Sequence, residues 1–329
     1  MLTTALLIVI FTVTAVLWLE KQKSKWIRKI LDWFPAILFA YVIPAAFTHT
    51  FDWDLSTVQL HSWSKSVIIP LAILLVMSAL PFRQLKIIGF RPVLLFVFGS
   101  FVIAVMAPFL VVAASLFSEA IPQLVIQEGY WKGLVPIVGG WIGGSTSQLV
   151  LKEVVECPEG LFLAILVLDN ILVNIWTILM FQMIKKSNEL NNFFGIEDDI
   201  IDFIPDEPKF KNNPLRSILL TALTCLIILL LTTWLVESFL WKIIVLSVIG
   251  LILGNFIPLW NHSLVLKAGG ILIVLIMAIL GLKLNFNSFS LPILLVGLII
   301  LWLLLHYLFM MLMARWLKLH MAWVPIASM

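Results

Sequence analysis

The 329-residue chain is 62% hydrophobic and 12% charged, with a formal net charge of +3. An ordinary soluble domain is about 45–50% apolar and about 25% charged, so this balance excludes a soluble enzyme, a disordered chain and a nucleic-acid binder. It predicts an all-α polytopic membrane protein, with room for roughly ten segments of about 20 residues.

Long apolar runs bounded by charge place the segments. The first, 1–19, lacks the basic start and small-residue cleavage site of a signal peptide and reads as a retained helix. Then come 31–47, 66–82, 92–117, a Gly-rich segment at 133–155, and 161–184. A polar connector at 187–214 carries Glu197, Asp198, Asp199, Asp202, Asp206 and Glu207, and charge blocks of this kind stay solvated. After it come 215–236, 239–258, 264–284 and 291–316. Trp26, Trp33, Trp53, Trp63 and Trp131 read as interfacial anchors. Cys157 and Cys225 lie far apart, without disulfide or metal spacing.

Basic residues set the sidedness. Lys21, Lys23, Lys25, Arg28 and Lys29 mark one cytoplasmic loop, and Arg83, Lys86 and Arg91 mark another two helices later, so the N-terminus lies outside. If 133–155 crosses, the 21 basic residues divide 11 inside and 10 outside; if it enters and returns, they divide 16 and 5. The re-entrant reading is favoured, which makes nine crossings and one hairpin.

Laid on itself at an offset of 200, the chain matches Ile73–Met77 with Ile273–Met277, Arg83 with Lys283, and Pro92 with Pro292. Val42-Ile-Pro44 echoes Phe256-Ile-Pro258, and Val135-Pro-Ile137 echoes Val324-Pro-Ile326, in the same order. Residues 1–186 and 215–329 therefore read as two transmembrane repeats. Five crossings plus a broken segment in each would invert the second against the first, an arrangement common among secondary transporters.

The segment from Gly133 to Gln148 carries Gly139-Gly140 and Gly143-Gly144, with Pro136 among them. Glycine pairs at this density predict an unwound turn at membrane depth, tolerable only beside protein or a water-filled cavity. Ser145, Thr146, Ser147 and Gln148 are suited to capping a restarted half-helix. Its free N–H groups favour an anion, and the freed glycine carbonyls favour a cation. The competing reading is close helix packing, since Gly140 and Gly144 have small-xxx-small spacing.

The next helix carries Asp169 and a polar stripe of Asn170, Asn174 and Thr177 at i, i+4 and i+7. A carboxylate at this depth is a candidate for Na⁺ coordination or proton exchange; its structural alternative is to cap the broken segment. His306 reads as a packing residue, and Asn255, near Gly250 and Gly254, as support for tight helix packing. Lys152, Glu153 and Glu156 read as the point where the hairpin meets water. An intramembrane serine protease would need Gly-x-Ser-Gly, which Gly144-Ser-Thr-Ser147 does not provide. An aspartyl protease would need a second intramembrane Asp. No enzyme activity is expected.

The Gly139-Gly-Trp-Ile-Gly-Gly-Ser-Thr-Ser147 run, followed by Leu168-Asp-Asn170, resembles the bacterial "domain of unknown function 819" membrane proteins. The likeness follows the segment order through nearly the whole chain. It implies membership of the cation/proton antiporter and anion transporter superfamily, alongside bile acid, glutamate and citrate symporters. It further implies a multi-pass protein of the bacterial inner membrane, moving a small anionic solute with Na⁺ or H⁺ as coupling ion and no other cofactor. The site residues implied are Gly139, Gly140, Gly143, Gly144, Ser145, Thr146, Ser147, Gln148, Asp169, Asn170 and Asn174, with Asp169 on any Na⁺. The expected partners are the lipid bilayer, the solute or ion, and a second copy in a homodimer, with no nucleic acid. Similar proteins continue past Val324-Pro-Ile-Ala-Ser-Met329 into a second Gly-rich segment. The second repeat therefore reads as truncated, and a non-transporting remnant or structural membrane protein is the alternative function.

Overall fold

A computed structural model describes residues 1–80, 82, 88–196, 214–284 and 291–328. The acidic run at 197–207 and the basic residues Arg83, Lys86, Lys209 and Lys211 lie outside the described residues, as does Met329. Among the described residues there are helices and no strand, and nine helices are long and apolar enough to cross a membrane. The chain is an all-α, multi-span membrane protein. Where the helices are regular they pair their backbone groups internally, as a hydrocarbon environment requires.

The helices group into two compact units, and neither is a half of the sequence. Unit 1 comprises Met1–Phe82 and Asp206–Ser288; unit 2 comprises Arg83–Pro205 and Phe289–Met329. Each unit thus takes one piece from before the polar connector and one from after it.

Unit 1 contains α1 (Leu2–Glu20), α2 (Lys25–Trp33), α3 (Ala36–Thr50), α4 (Leu60–Ser78), α9 (Pro214–Leu235), α10 (Phe239–Phe256) and α11 (His262–Gly281). Helix α11 packs on α1, α3 and α4, while α10 packs on α4. Ala5, Ile8, Leu60, Ala278 and Ile279 form one buried cluster; Leu74, Leu229, Leu246 and Val265 form another. Helix α2 falls in the charged loop read from Lys21 to Lys29, where its alternation of Lys and Arg with Trp26, Ile27 and Ile30 makes an amphipathic turn set rather than a crossing.

Close backbone approach in unit 1 depends on glycine. A methyl group added at Gly250 would lie 2.8 Å from the Leu74 carbonyl oxygen, and one at Gly254 would run into the Ser78 carbonyl. One at Gly281 would run into the Tyr41 carbonyl of α3. Asn255 then seals the α4 end: its amide donates to Leu80 O (2.9 Å) and Leu251 O (2.9 Å), and its carbonyl accepts from the Phe82 N–H (2.7 Å). Small residues admit the neighbouring backbone, and a polar side chain satisfies the last carbonyls.

Unit 2 contains α5 (Phe90–Ser115), α6 (Trp131–Val154), α7 (Glu159–Lys185), α8 (Ser187–Phe194), α12 (Ile293–Trp316) and α13 (Trp323–Ser328). Helices α5 and α12 lie side by side, and the Trp302 indole donates to Ile103 O at 3.0 Å. The core is built from Ile137, Ile165, Leu295, Ile299 and Trp302, all buried. The short helix α8 lies inside the stretch read as a polar connector. Its Asn191 accepts from the Met321 N–H (2.8 Å), and Asn188 meets His320 (3.2 Å).

Candidate functional site

Segment α6 runs helically from Trp131 to Val154 but is broken at Gly143 (φ −133°, ψ 15°) and Gly144 (φ 72°, ψ −171°). The Gly144 pairing of positive φ with ψ near 180° is open essentially to glycine alone. The chain then returns on itself. Gly139 faces the Leu151 side chain and Gly140 faces the Gln148 amide. In an unbroken helix residues 139 and 151 would stand roughly 18 Å apart. At the far end Gly133 meets Leu161 and Ile165, while the Lys152 ammonium lies 5.9 Å over the Phe162 ring. Both ends of α6 therefore reach the first turns of α7. Each arm, 131–142 and 145–154, is shorter than a bilayer's hydrocarbon core of about 30 Å requires at 1.5 Å per residue.

Asp169, mid-way along α7, ties the two arms together. The Trp141 indole N–H of the outgoing arm donates to Oδ1 at 2.7 Å, and the Gln148 amide of the return arm donates to Oδ2 at 3.0 Å. A Cβ on Gly140 would lie a tight 3.2 Å from Gln148 Nε2 and in ordinary contact, 3.5 Å, with Asp169 Oδ2. A Cβ on Gly143 would run into the Ser147 side chain, whose hydroxyl donates to the freed Gly143 carbonyl at 3.2 Å. Ser145 is exposed at the tip; Thr146 and Ser147 are half-buried and Gln148 is buried.

A cavity of about 80 Å³ opens beside this carboxylate, lined by Gly140, Trp141, Asp169, Val173, Trp176 and Thr177. Both hydrogen bonds to Asp169 come from neutral donors, and no Lys, Arg or His is among the described lining residues. A half-buried carboxylate without a counter-charge at membrane depth is costly and draws a cation or a proton. The Trp176 indole N–H, buried in the same wall, has no hydrogen-bond partner. Trp141 packs edge-on against both Trp176 (5.7 Å between centroids) and Trp302 (6.4 Å). These rings fix the indole that holds Asp169.

Of the predicted polar stripe, only Thr177 joins this cavity. Asn170 donates to Leu166 O and Asn174 to Asn170 O, both at 3.0 Å, on the adjoining face of α7. The helical face that meets the hairpin is Asp169, Val173 and Trp176, one position round from the stripe. Sequence reasoning did not single out Trp141 or Trp176, because indoles in an apolar helix read as packing or interfacial anchors. The signal present was the placing of Trp141 between two glycine pairs.

The base of the hairpin is also polar, and here the reading of Lys152 needs correction. Lys152 is buried, at 4% exposure, and forms ion pairs with Glu153 (2.8 Å) and Glu159 (2.6 Å) instead of reaching water. Glu159 opens α7, so the pair staples the return arm to that helix. Glu156 is exposed in the connecting turn at φ 51°. Beside it burial pushes the Cys157 thiol up to about 12, which leaves it protonated and unreactive at neutral pH.

His306 of α12 is buried, as a packing residue would be. It lines a second cavity, of about 160 Å³, against the hairpin tip.

No curated protein and no solved structure shows a significant match to the chain. One family model does match, over residues 7–205, well over half the length and including the whole hairpin and Asp169. The chain belongs to the membrane-protein family described as "Protein of unknown function (DUF819)".

Proposed function

We propose that the protein is a secondary transporter that moves a small anionic solute with Na⁺ or H⁺ as coupling ion. The observation that carries this reading is the half-buried, uncompensated Asp169 carboxylate clamping both arms of a broken membrane hairpin. A broken segment places free amides and free carbonyls together at membrane depth, where they can serve an anion and a cation. Asp169 would take the coupling ion, and the Ser145–Gln148 end of the return arm would face the solute's negative group.

The expected inverted repeat has support in the packing within each unit. Exchanging α1, α3, α4 and α5 with α9, α10, α11 and α12 turns the α3–α11 contact into α10–α4, and α1–α3 into α9–α10. The α5–α12 contact maps onto itself. The same exchange carries Val135-Pro-Ile137 of α6 onto Val324-Pro-Ile326 of α13, and each of these helices packs against the partner-equivalent helix, α5 or α12. This pattern favours the kinship with ion-coupled symporters that the glycine motif suggests.

The test is uptake into proteoliposomes of ¹⁴C-labelled mono-, di- and tricarboxylates under an imposed inward Na⁺ or H⁺ gradient. Wild type should accumulate at least one of them under one gradient, and Asp169→Asn should lose the gradient dependence. No gradient-driven uptake of any of these solutes, or full coupling in Asp169→Asn, would overturn the reading.

A further inference from the structure

The hairpin separates two cavities of different chemistry. On one side lies the Asp169 space; on the other, the larger cavity is lined by Ser100, Gly140, Trp141, Gly144, His306 and Ser328, among others. Gly140 and Trp141 form part of both walls. The described lining of the larger cavity includes no Asp or Glu and no Lys or Arg. Its one ionisable side chain is His306, which is 2% exposed and whose Nδ1 has no hydrogen-bond partner.

An unpaired ring nitrogen in an apolar helix costs about 1–3 kcal/mol in lost hydration, a cost that a charged ligand hydrogen-bonded to the ring would offset. Neutral imidazole offers one N–H and one acceptor; imidazolium offers two donors and a positive charge. Gly144 opens the return arm, whose first N–H groups have no intrahelical acceptors and carry the positive end of the helix dipole. Two independent features, a histidine without a partner and a helix start, therefore converge on one cavity without a carboxylate. A space near 160 Å³ compares with the roughly 150 Å³ cavity that accommodates benzene, so about six non-hydrogen atoms fit.

We propose that this cavity is a binding site for a small carboxylate of up to about six non-hydrogen atoms, its negative group held by His306 and by the amide end of the return arm at Gly144–Ser145. The inference deepens the transport reading and rests on it only for how the solute enters and leaves. The shared Gly140–Trp141 wall would let an ion on Asp169 and a carboxylate on His306 bear on the same stretch of backbone.

The test is equilibrium binding of [¹⁴C]pyruvate and of ²²Na⁺ to the detergent-purified full chain by scintillation proximity. Wild type should bind pyruvate saturably and release it to unlabelled lactate, while choline should not compete. His306→Leu should weaken pyruvate binding at least about tenfold, the loss expected for a hydrogen bond to a charged group, while leaving ²²Na⁺ binding intact. His306→Gln, which retains an amide donor, should recover part of that loss and shows that the variant fold is sound. Absence of saturable pyruvate binding by wild type, or wild-type binding by His306→Leu, means the cavity holds water only and overturns the proposal. Gradient-driven transport of another solute by a protein that binds no pyruvate would overturn this site and leave the transport reading standing. Pyruvate binding through His306 without transport of any solute would do the reverse.

Discussion

In unit 1, Gly250, Gly254 and Gly281 lie in regular helical conformation and are glycine because a neighbouring backbone carbonyl occupies the space a side chain would need. In unit 2, a Cβ on Gly144 would meet nothing within 4 Å, and the residue is glycine because of its backbone angles. The first use brings helices together and leaves them continuous; the second interrupts a helix and turns it back. The polar side chains follow the same division. Asn255 is consumed by the ends of the helices it joins, whereas the Asp169 carboxyl receives two neutral donors and no cation among the described residues. Identical residue types thus build a packed scaffold in one unit and a broken helix around an uncompensated carboxylate in the other.

The strongest way to break this contrast is to remove the charge that anchors the hairpin. Lys152→Met would leave the half-buried Glu153 and Glu159 without their cation, a loss toward the lower end of the about 3–5 kcal/mol that a buried pair broken on one side costs. Thermal unfolding of the detergent-solubilised protein should show a large drop. The triple variant Lys152→Met, Glu153→Gln, Glu159→Gln should recover most of it, because no unpaired charge then remains. Equal instability in the triple variant would mean that the staple acts through shape and not through charge.

The two kinds of glycine should also fail differently. Gly254→Ala forces a methyl group against the Ser78 carbonyl, and overpacking of this kind costs about 1–3 kcal/mol, here toward the upper end because backbone cannot rotate away. Gly144→Ala meets no atom but must hold a strained backbone, also about 1–3 kcal/mol. The first should lower the melting temperature and leave the hairpin's chemistry unchanged. The second should relax the turn, separate Trp141 from Gln148, and abolish Na⁺ or solute binding even where the protein remains folded. Loss of binding in Gly254→Ala at a temperature where it is fully folded would count against the division of roles.

Much of this was legible in the sequence. Hydropathy placed the long helices to within a few residues, and the glycine pairs located the break, because backbone freedom is encoded at the residue that uses it. Asp169 was conspicuous as a carboxylate inside an apolar run. Its partners were half legible: Gln148 stood out as polar, whereas Trp141 did not, since an indole shows its hydrogen-bonding edge only when its orientation is known. Lys152 was misread for a related reason, because a lysine next to a glutamate looks solvated until the fold brings Glu159 to its other side. Helices α2 and α8 were hidden among charges and amides, where no long apolar run announces them. The interleaving of the two units depends on contacts across some two hundred residues, which local pattern does not carry.

A smaller effect tests how tightly the hairpin base is closed. Cys157 sits in the turn after α6, buried beside Lys152 and Glu159, and its thiol is pushed up to about 12 chiefly by burial. The raised value keeps the neutral thiol through pH 8–9, below the point where thiolate forms. N-ethylmaleimide at pH 8 should therefore label it slowly in the native protein and quickly after denaturation. Lys152→Met should increase the native rate if the staple is what holds the base shut. Rapid labelling of native wild type would mean that the return arm opens from α7 without assistance, and the contrast between a rigid base and a strained tip would have to be reversed.

The smallest expected effect separates two glycines that share a positive φ. Gly195, which follows α8, has φ 65° and ψ 42°, the left-handed helical conformation, and the neighbouring Ile196 N–H donates to Asn191 O at 2.9 Å. Asparagine tolerates that conformation, so Gly195→Asn should cost only a few tenths of a kcal/mol while Gly195→Ala costs about 1. Gly144 has a similar φ of 72° but ψ −171°, outside the region that asparagine visits. Gly144→Asn should therefore behave as badly as Gly144→Ala. The pair isolates ψ as the angle that makes the break: if Asn is accepted at 144 as readily as at 195, the turn can relax into an ordinary left-handed cap, and the return arm would have to leave the tip in a different direction from the one that brings Gln148 to Asp169.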